Sequence, residues 1–180
     1  MAGGTLAVGG GVMVCLTRMK RIVEINTRDR YAIVEPGVVN VWLTRALANA
    51  GFHYAPDPSS QTACTIGGNV ATNSGGPHTL KYGVTVNHVL GLEAVMADGS
   101  LADFGGPAEA NPGLDLPGVV VGGEGTLALV PTVRVRLPRD PQGVPPSLGS
   151  LQPADGAHTP RRSLRTAAIT AATNKPAPLR

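Results

Sequence analysis

The chain has 180 residues and a formal net charge of +3, with 42% hydrophobic but only 15% charged residues. This length fits one domain of ordinary size, with or without a tail. The hydrophobic fraction excludes a wholly disordered chain, the charged fraction excludes a coiled coil, and no stretch reaches the ~20 apolar residues of a membrane span. The 24 glycines follow no Gly-X-Y period, so they indicate many tight turns and not collagen.

The positive charge lies at one end of the chain. Residues 1–137 carry nine basic and ten acidic residues, whereas residues 138–180 carry six and two, together with eight of the sixteen prolines. The near-neutral first part argues against a folded nucleic-acid-binding surface. The second part buries too little apolar area to offset its chain entropy, so we expect a Pro/Arg-rich disordered tail after a domain of residues 1–137.

The two cysteines, Cys15 and Cys64, have no metal-ligand spacing and no histidine companions, so no metal site is predicted. A disulfide between them stays open. The apolar stretch from Met1 to Val14 has no basic region before it and no small-residue cleavage site, so it is interpreted as part of the fold. A cytoplasmic location is therefore expected.

Short apolar runs predict strands at Val12–Leu16, Arg21–Ile25, Tyr31–Glu35, Val89–Ala97 and Ser100–Phe104, and the alternation over residues 133–137 predicts a last one. Asp98-Gly99 between two of these runs indicates a hairpin. Pro131 indicates that the last strand starts at an edge or a bulge. With no βαβ rhythm, the sequence predicts an α+β fold.

The clearest helix follows the third strand. Asn40 is a plausible N-cap, and Gly51 is a suitable residue just after the C-terminus. Between them, four apolar residues are predicted to share one buried face: Leu43, Ala46, Leu47 and Ala50.

The stretch from Pro56 to Gly83 carries the most chemical information. Pro56 and Pro58 hold Ser59 and Ser60 in a stiff turn. Thr65 is a good N-cap for a short helix whose first turn contains Gly67-Gly68. The free N–H groups of that turn would face an anion. Few charges lie nearby, which favours a phosphate ester held by amides and hydroxyls.

A second glycine cluster, Gly122-Gly123-Glu124-Gly125-Thr126, follows an apolar run and also allows close approach of a ligand. Turn glycines of an ordinary small domain would explain both clusters about equally well. The P-loop and Rossmann fingerprints are absent, which argues against those two nucleotide-binding classes.

These motifs in this order resemble the FAD-linked oxidases of the vanillyl-alcohol oxidase type (PCMH-type FAD-binding domain). The similarity is greatest to the FAD-linked subunit of glycolate oxidase and to D-lactate dehydrogenases, and it extends over roughly residues 2–137. The motifs that carry it are Glu35-Pro36-Gly37-Val38, Pro56–Ser60, Thr65–Gly76, Lys81-Tyr82-Gly83, Ala97-Asp98-Gly99 and Gly122–Leu127.

The resemblance implies two small α+β subdomains around noncovalently bound FAD, in a family that oxidises 2-hydroxy acids such as glycolate or D-lactate. In that family the substrate gives a hydride to the flavin, and an electron acceptor reoxidises it. No catalytic residue is assigned. The expected cofactor-binding residues are Pro56, Ser59, Ser60, Thr65, Gly67, Gly68, Asn69, Asn73, Gly75, Gly76, Gly122, Glu124 and Gly125.

The family's first glycine-rich loop, with the histidine that binds flavin covalently in some relatives, would precede Gly3-Gly4. Its C-terminal substrate domain is also missing. We therefore expect a fragment truncated at both ends, and whether it is an enzyme stays open. The alternatives are a non-catalytic FAD-binding subunit that needs a complementing oxidase subunit, and an inactive remnant. His78 could approach the flavin, although an ordinary surface histidine is the commoner case.

Overall fold

The computed structural model describes residues 9–106 and 113–141. These residues form one five-stranded antiparallel sheet in the order β1-β2-β5-β3-β4. The strands are β1 (Ile22–Asn26), β2 (Tyr31–Val34), β3 (Val89–Val95), β4 (Leu101–Gly105) and β5 (Leu129–Arg136). The α+β class predicted from the sequence is confirmed.

Four short α-helices belong to the described residues: α1 (Asn40–Leu47), α2 (Ile66–Thr72), α3 (Thr79–Tyr82) and α4 (Leu116–Val120). Two 3₁₀ turns, Ala48–Ala50 and Thr85–His88, follow α1 and precede β3. No helix in the described part of the chain is long and apolar enough to cross a bilayer.

A single core joins the sheet to α1 and α2. Alternate residues of the central strands are buried, and so are residues four apart on each of the two helices, as the periods of strands and helices require. The fully buried side chains of this core include Val34, Leu43, Leu47, Ile66, Leu92, Val133 and Val135. The core therefore fixes α2 and the loops at its two ends relative to the sheet.

Most strand predictions are confirmed, including the hairpin at Asp98-Gly99, where β3 pairs with β4. Pro131 lies in β5 at the centre of the sheet, and the pairing with β3 shifts there by one residue. The predicted bulge is therefore correct and the predicted edge is not. Residues 133–136 carry the ladder to β2, so the missing N–H of Pro131 interrupts no bond to that strand.

Three details of the sequence prediction are wrong. Residues 12–16 form no strand, because no described strand lies beside them, and Val12 to Val14 are exposed. Asn40 is the first residue of α1, and Val39 is its N-cap. The Asn40 side chain is buried and donates from Nδ2 to the carbonyl oxygen of Pro56 at 2.9 Å. Ala46 and Ala50 are exposed, because the buried stripe consists of Leu43 and Leu47.

The described chain continues past the predicted domain boundary at Leu137. The N–H of His53 donates to the carbonyl of Pro138 at 3.1 Å, and the N–H of Asp140 donates to the carbonyl of Gly51 at 2.9 Å. Residues 142–180, on which the prediction of a disordered tail falls, lie outside the described residues. The division of the chain at that boundary stays a prediction.

His88, at the end of the second 3₁₀ turn, makes stability depend on pH. Its Nε2 lies 2.8 Å from the carbonyl oxygen of Tyr82, and its buried Nδ1 has no hydrogen-bond partner among the described residues. Burial lowers the pKa of His88 below its ordinary 6.5. Its contribution to stability is therefore complete above about pH 6.5 and is lost as the pH falls below it.

We expect the melting temperature of the unmodified chain to fall more steeply than that of a His88→Gln variant between about pH 7.5 and about pH 5.5. Thermal unfolding followed by circular dichroism across this range measures the difference. Parallel curves for the two proteins would show that His88 does not titrate differently in the folded and unfolded states.

Candidate functional site

Helix α2 lies at the centre of the candidate site, and Thr65 caps its N-terminus as predicted. The Thr65 hydroxyl accepts from the N–H of Gly68 at 3.2 Å. Asn73 ends the helix in the left-handed conformation, with φ of 48°, and its N–H donates back to the helix. A short polar side chain tolerates that conformation better than a branched one. This reversal directs the chain into Ser74-Gly75-Gly76.

The predicted free N–H groups at the start of α2 are not free. Ile66 donates to the carbonyl of Val38 and Gly67 to the carbonyl of Pro36, both at 2.8 Å. With Gly68 bonded to Thr65, the whole first turn is satisfied. The expectation that this turn presents amides to an anion is therefore wrong. The physical reason is that the segment leading into α1 lies against the start of α2 and supplies its acceptors.

Gly67 packs closely against Pro36, a role that the sequence motif does not predict. A Cβ at this position would lie 2.5 Å from the Pro36 Cβ and 2.9 Å from the Pro36 carbonyl oxygen. Gly68, by contrast, is exposed, and a Cβ there would come no closer than 3.4 Å to its nearest neighbour, the Thr65 Oγ1. Of the two adjacent glycines, Gly67 serves close contact with the Pro36 turn, and Gly68 leaves the outer surface of α2 open.

The second glycine cluster meets the C-terminal end of the same helix. The N–H of Gly122 donates to the carbonyl of Val70 at 2.8 Å, and the N–H of Glu124 donates to the carbonyl of Ala71 at 2.9 Å. Gly122 also lies close to the Cβ of Asn73. The structure therefore brings together the two clusters, which are about fifty residues apart in the sequence. Gly125 follows with φ of 77° and open space around it.

The turn from Pro56 to Ser60 contacts the end of the Thr65–Gly76 segment through Asp57. The Asp57 carbonyl and carboxylate lie so close to Gly76 that a Cβ there would overlap them. Pro56 is buried and bonded to Asn40, whereas Ser59 and Ser60 are exposed. Within the part of the chain that the structure describes, the N–H groups of Ser59, Ser60 and Gly75 donate to no protein acceptor.

The donor groups of these segments fit a site that binds a phosphate ester through uncharged groups. Exposed hydroxyls and unbonded amides at Ser59 and Ser60 are the type of donor that binds phosphate oxygens without a positive side chain. Asn69 is 1% exposed, and its Nδ2 has no hydrogen-bond partner among the described residues. A buried donor without a partner is unusual in a folded protein, so a ligand or a water molecule is needed to satisfy it.

The sequence reasoning missed the contribution of Asp57 and of His78 to this geometry. The His78 Nδ1 lies 2.5 Å from the Asp57 Oδ2, and this pair joins the Pro56–Ser60 turn to the residues after Gly76. The two residues are 21 positions apart, so no local motif could have paired them. Tyr54, which precedes this turn in the sequence, is 3% exposed, and burial raises the pKa of its hydroxyl.

Comparison with known proteins identifies relatives along most of the chain. A family profile described as an FAD binding domain matches residues 1–105. The glycolate oxidase subunit GlcD of Escherichia coli (strain K12) is 45% identical over 142 residues, which are 78% of this chain and 28% of that protein. GlcD of Bacillus subtilis (strain 168) is 43% identical over 79% of this chain and 30% of its own length. A D-lactate dehydrogenase of Archaeoglobus fulgidus is 38% identical over 76% and 31%.

A solved structure, that of an alkyldihydroxyacetonephosphate synthase, matches with a TM-score of 0.62 and 24% identity, over 71% of this chain and 23% of that one. This match concerns the fold alone. The curated relatives above are matched over 28% to 31% of their own length, so the chain spans less than a third of each. The resemblance inferred from the sequence motifs is confirmed.

Proposed function

Since the chain belongs to the FAD-binding domain family of FAD-linked oxidoreductases, whose cofactor is FAD, we propose that it contributes the FAD-binding surface of an oxidoreductase acting on a 2-hydroxy acid such as glycolate or D-lactate. The observation that carries the proposal is the convergence on α2. The Gly122–Gly125 loop bonds to the C-terminal end of α2, and the Pro56–Ser60 turn contacts Gly76, the last residue of the Thr65–Gly76 segment that contains this helix.

The thirteen residues expected from the sequence have different parts in this proposal. Ser59, Ser60 and Asn69 are proposed as direct donors to the cofactor, because each has a polar group that no described protein atom satisfies. The remaining ten are proposed to shape the surface: Pro56, Thr65, Gly67, Gly68, Asn73, Gly75, Gly76, Gly122, Glu124 and Gly125. No residue with a covalent link to flavin is proposed, and binding is noncovalent.

When bound, FAD supplies the hydride acceptor for oxidation of the hydroxy acid. The chain's own residues bind and orient it. No substrate-binding residue of this chain is proposed, and the substrate and the electron acceptor belong to the wider enzyme of the matched relatives. A cytoplasmic location is part of the same proposal, supported by two unpaired cysteines, Cys15 and Cys64.

A second candidate function is a non-catalytic FAD-binding subunit that works with a complementing oxidase subunit. The observation in its favour is that the matched GlcD proteins, which are themselves named as subunits, extend over more than three times the matched length. Pull-down of a second chain that restores substrate-dependent flavin reduction would favour this candidate. Substrate-dependent flavin reduction by the chain alone would exclude it.

A charge placed on the open surface of α2 tests the site. We expect Gly68→Asp to weaken FAD binding at least about tenfold, because it places a carboxylate on the open surface of α2, beside the proposed site of an anionic cofactor. Gly68→Ala, which adds a methyl group without charge at the same position, is the matched control and should bind far more tightly than Gly68→Asp. Quenching of flavin fluorescence measures both affinities, and circular dichroism verifies folding. Equal affinities for the two variants would show that this surface does not meet the cofactor.

A further inference from the structure

Asp57 and His78 form the one direct side-chain link that the structure describes between the Pro56–Ser60 turn and the residues after Gly76. The His78 Nδ1 lies 2.5 Å from the Asp57 Oδ2, and the His78 N–H points to the other carboxylate oxygen at 3.5 Å. The Asp57 side chain is 22% exposed and that of His78 is 69% exposed. The carboxylate is thus partly enclosed, while the imidazole covers it from the solvent side.

The backbone around Asp57 is held on both sides. Pro56 and Pro58 restrict its neighbours, and the Asn40 side chain donates to the Pro56 carbonyl from the core. On the outer side, Asp57 touches Gly76, where a side chain would have no room. The contact between Asp57 and Gly76 brings the Pro56–Ser60 turn against the segment that ends at Gly76. The hydrogen bond between Asp57 and His78 then holds the two segments together. A hydrogen bond that involves a charged group is stronger and more directional than a neutral one.

We propose that Asp57 and His78 are positioning residues that lock the Pro56–Ser60 turn onto Gly75-Gly76, so that Ser59, Ser60 and Gly75 present their amides as one surface to the FAD. This proposal rests on the proposed function, which assigns Ser59 and Ser60 to the cofactor as direct donors and Gly75 to the surrounding surface; here the free Gly75 amide is added to those donors. The pair itself needs no contact with FAD. Its effect is to reduce the freedom of the turn before binding, which lowers the entropic cost of ordering it.

The direction in which Asp57→Ala changes the FAD affinity distinguishes a positioning role from a charge effect. Asp57→Ala removes a negative charge near a proposed anion site, so charge alone would strengthen FAD binding. Loss of the Asp57–His78 hydrogen bond would instead weaken FAD binding by roughly three- to tenfold, which is the effect of removing one partly exposed charged hydrogen bond. The matched control is Asp140→Ala, which removes the carboxylate of the His53–Asp140 pair, 2.9 Å long and outside the proposed site. Weaker binding by Asp57→Ala, with unchanged binding by Asp140→Ala, is the expected result.

A double-mutant cycle distinguishes positioning from direct contact of His78 with the flavin. If His78 acts through Asp57, His78→Leu weakens FAD binding in the unmodified chain but adds nothing in the Asp57→Ala background. His78→Asn, whose amide nitrogen can take the place of Nδ1, should restore most of the affinity. The same loss from His78→Leu in both backgrounds would overturn the proposal in favour of direct contact.

Amide hydrogen exchange gives a readout that needs no flavin. We expect faster exchange at residues 57–60 and 75–79 in Asp57→Ala, and unchanged exchange there in Asp140→Ala. Unchanged exchange and unchanged FAD affinity in Asp57→Ala would overturn the lock and leave the proposed function standing. Absence of FAD binding by the unmodified chain would instead overturn the proposed function, and the positioning role with it.

Discussion

Replacing Gly67 by alanine is expected to destabilise the folded chain by about 2–3 kcal/mol, in the range of overpacking changes in a close-packed core. The new Cβ would lie 2.5 Å from the Pro36 Cβ and 2.9 Å from its carbonyl oxygen. Neither atom can move freely, because Pro36 is buried and its carbonyl accepts the Gly67 N–H. The clash therefore separates the start of α2 from the segment that leads into α1.

The adjacent glycine provides the control for this prediction. Gly68→Ala places its Cβ no closer than 3.4 Å to another atom, on an exposed position within the helix. Alanine is favoured over glycine there by about 0.5–1 kcal/mol, so this variant should be more stable than the unmodified chain. Urea unfolding measures both. Destabilisation of similar size in both variants would contradict the assignment of Gly67 alone to the contact with Pro36.

Replacing Gly76 by alanine is expected to weaken FAD binding more than any other single methyl group added to the site, by at least about tenfold. The new Cβ would overlap the carbonyl and the carboxylate of Asp57, so the Pro56–Ser60 turn has to move away. The proposed donors Ser59 and Ser60 move with it. The change also removes the geometry that allows Asp57 to meet His78.

Gly9→Ala is the matched control for Gly76→Ala, since a Cβ at Gly9 meets no atom of the described residues within 4 Å. Flavin titration of the two variants, at a temperature where circular dichroism shows both to be folded, measures the effect. An affinity of Gly76→Ala equal to that of Gly9→Ala would show that the position of the turn does not matter for the cofactor.

Local sequence patterns are sufficient for most of the individual strands and for the start of α2. Alternation of Val133 and Val135 identified a half-buried strand, and Thr65 identified the helix start, because both signals are properties of neighbouring residues. The same reasoning failed for residues 12–16, where a strand depends on a partner elsewhere in the chain. It also failed for Asn40, whose side chain bonds to Pro56 and not to its own helix.

The glycine motif of the candidate site could be recognised from the sequence, but its physical use could not. Free amides at the start of α2 are the natural expectation for a helix N-terminus, but the carbonyls of Val38 and Pro36 accept from Ile66 and Gly67, and the Thr65 hydroxyl accepts from Gly68. The two carbonyls are about thirty residues earlier in the chain. The Asp57–His78 pair and the contact of Gly122 with α2 are likewise long-range, so only the folded structure reveals them.

The most direct test of the proposed FAD-binding surface is gel filtration of the purified, unmodified chain with FAD, followed by the visible absorption spectrum of the protein peak. The convergence of the three segments on α2 predicts that flavin bands elute with the protein and that denaturation releases the flavin unmodified. A folded protein peak without flavin, at FAD concentrations in the micromolar range and above, would contradict the proposal that these segments suffice to bind the cofactor.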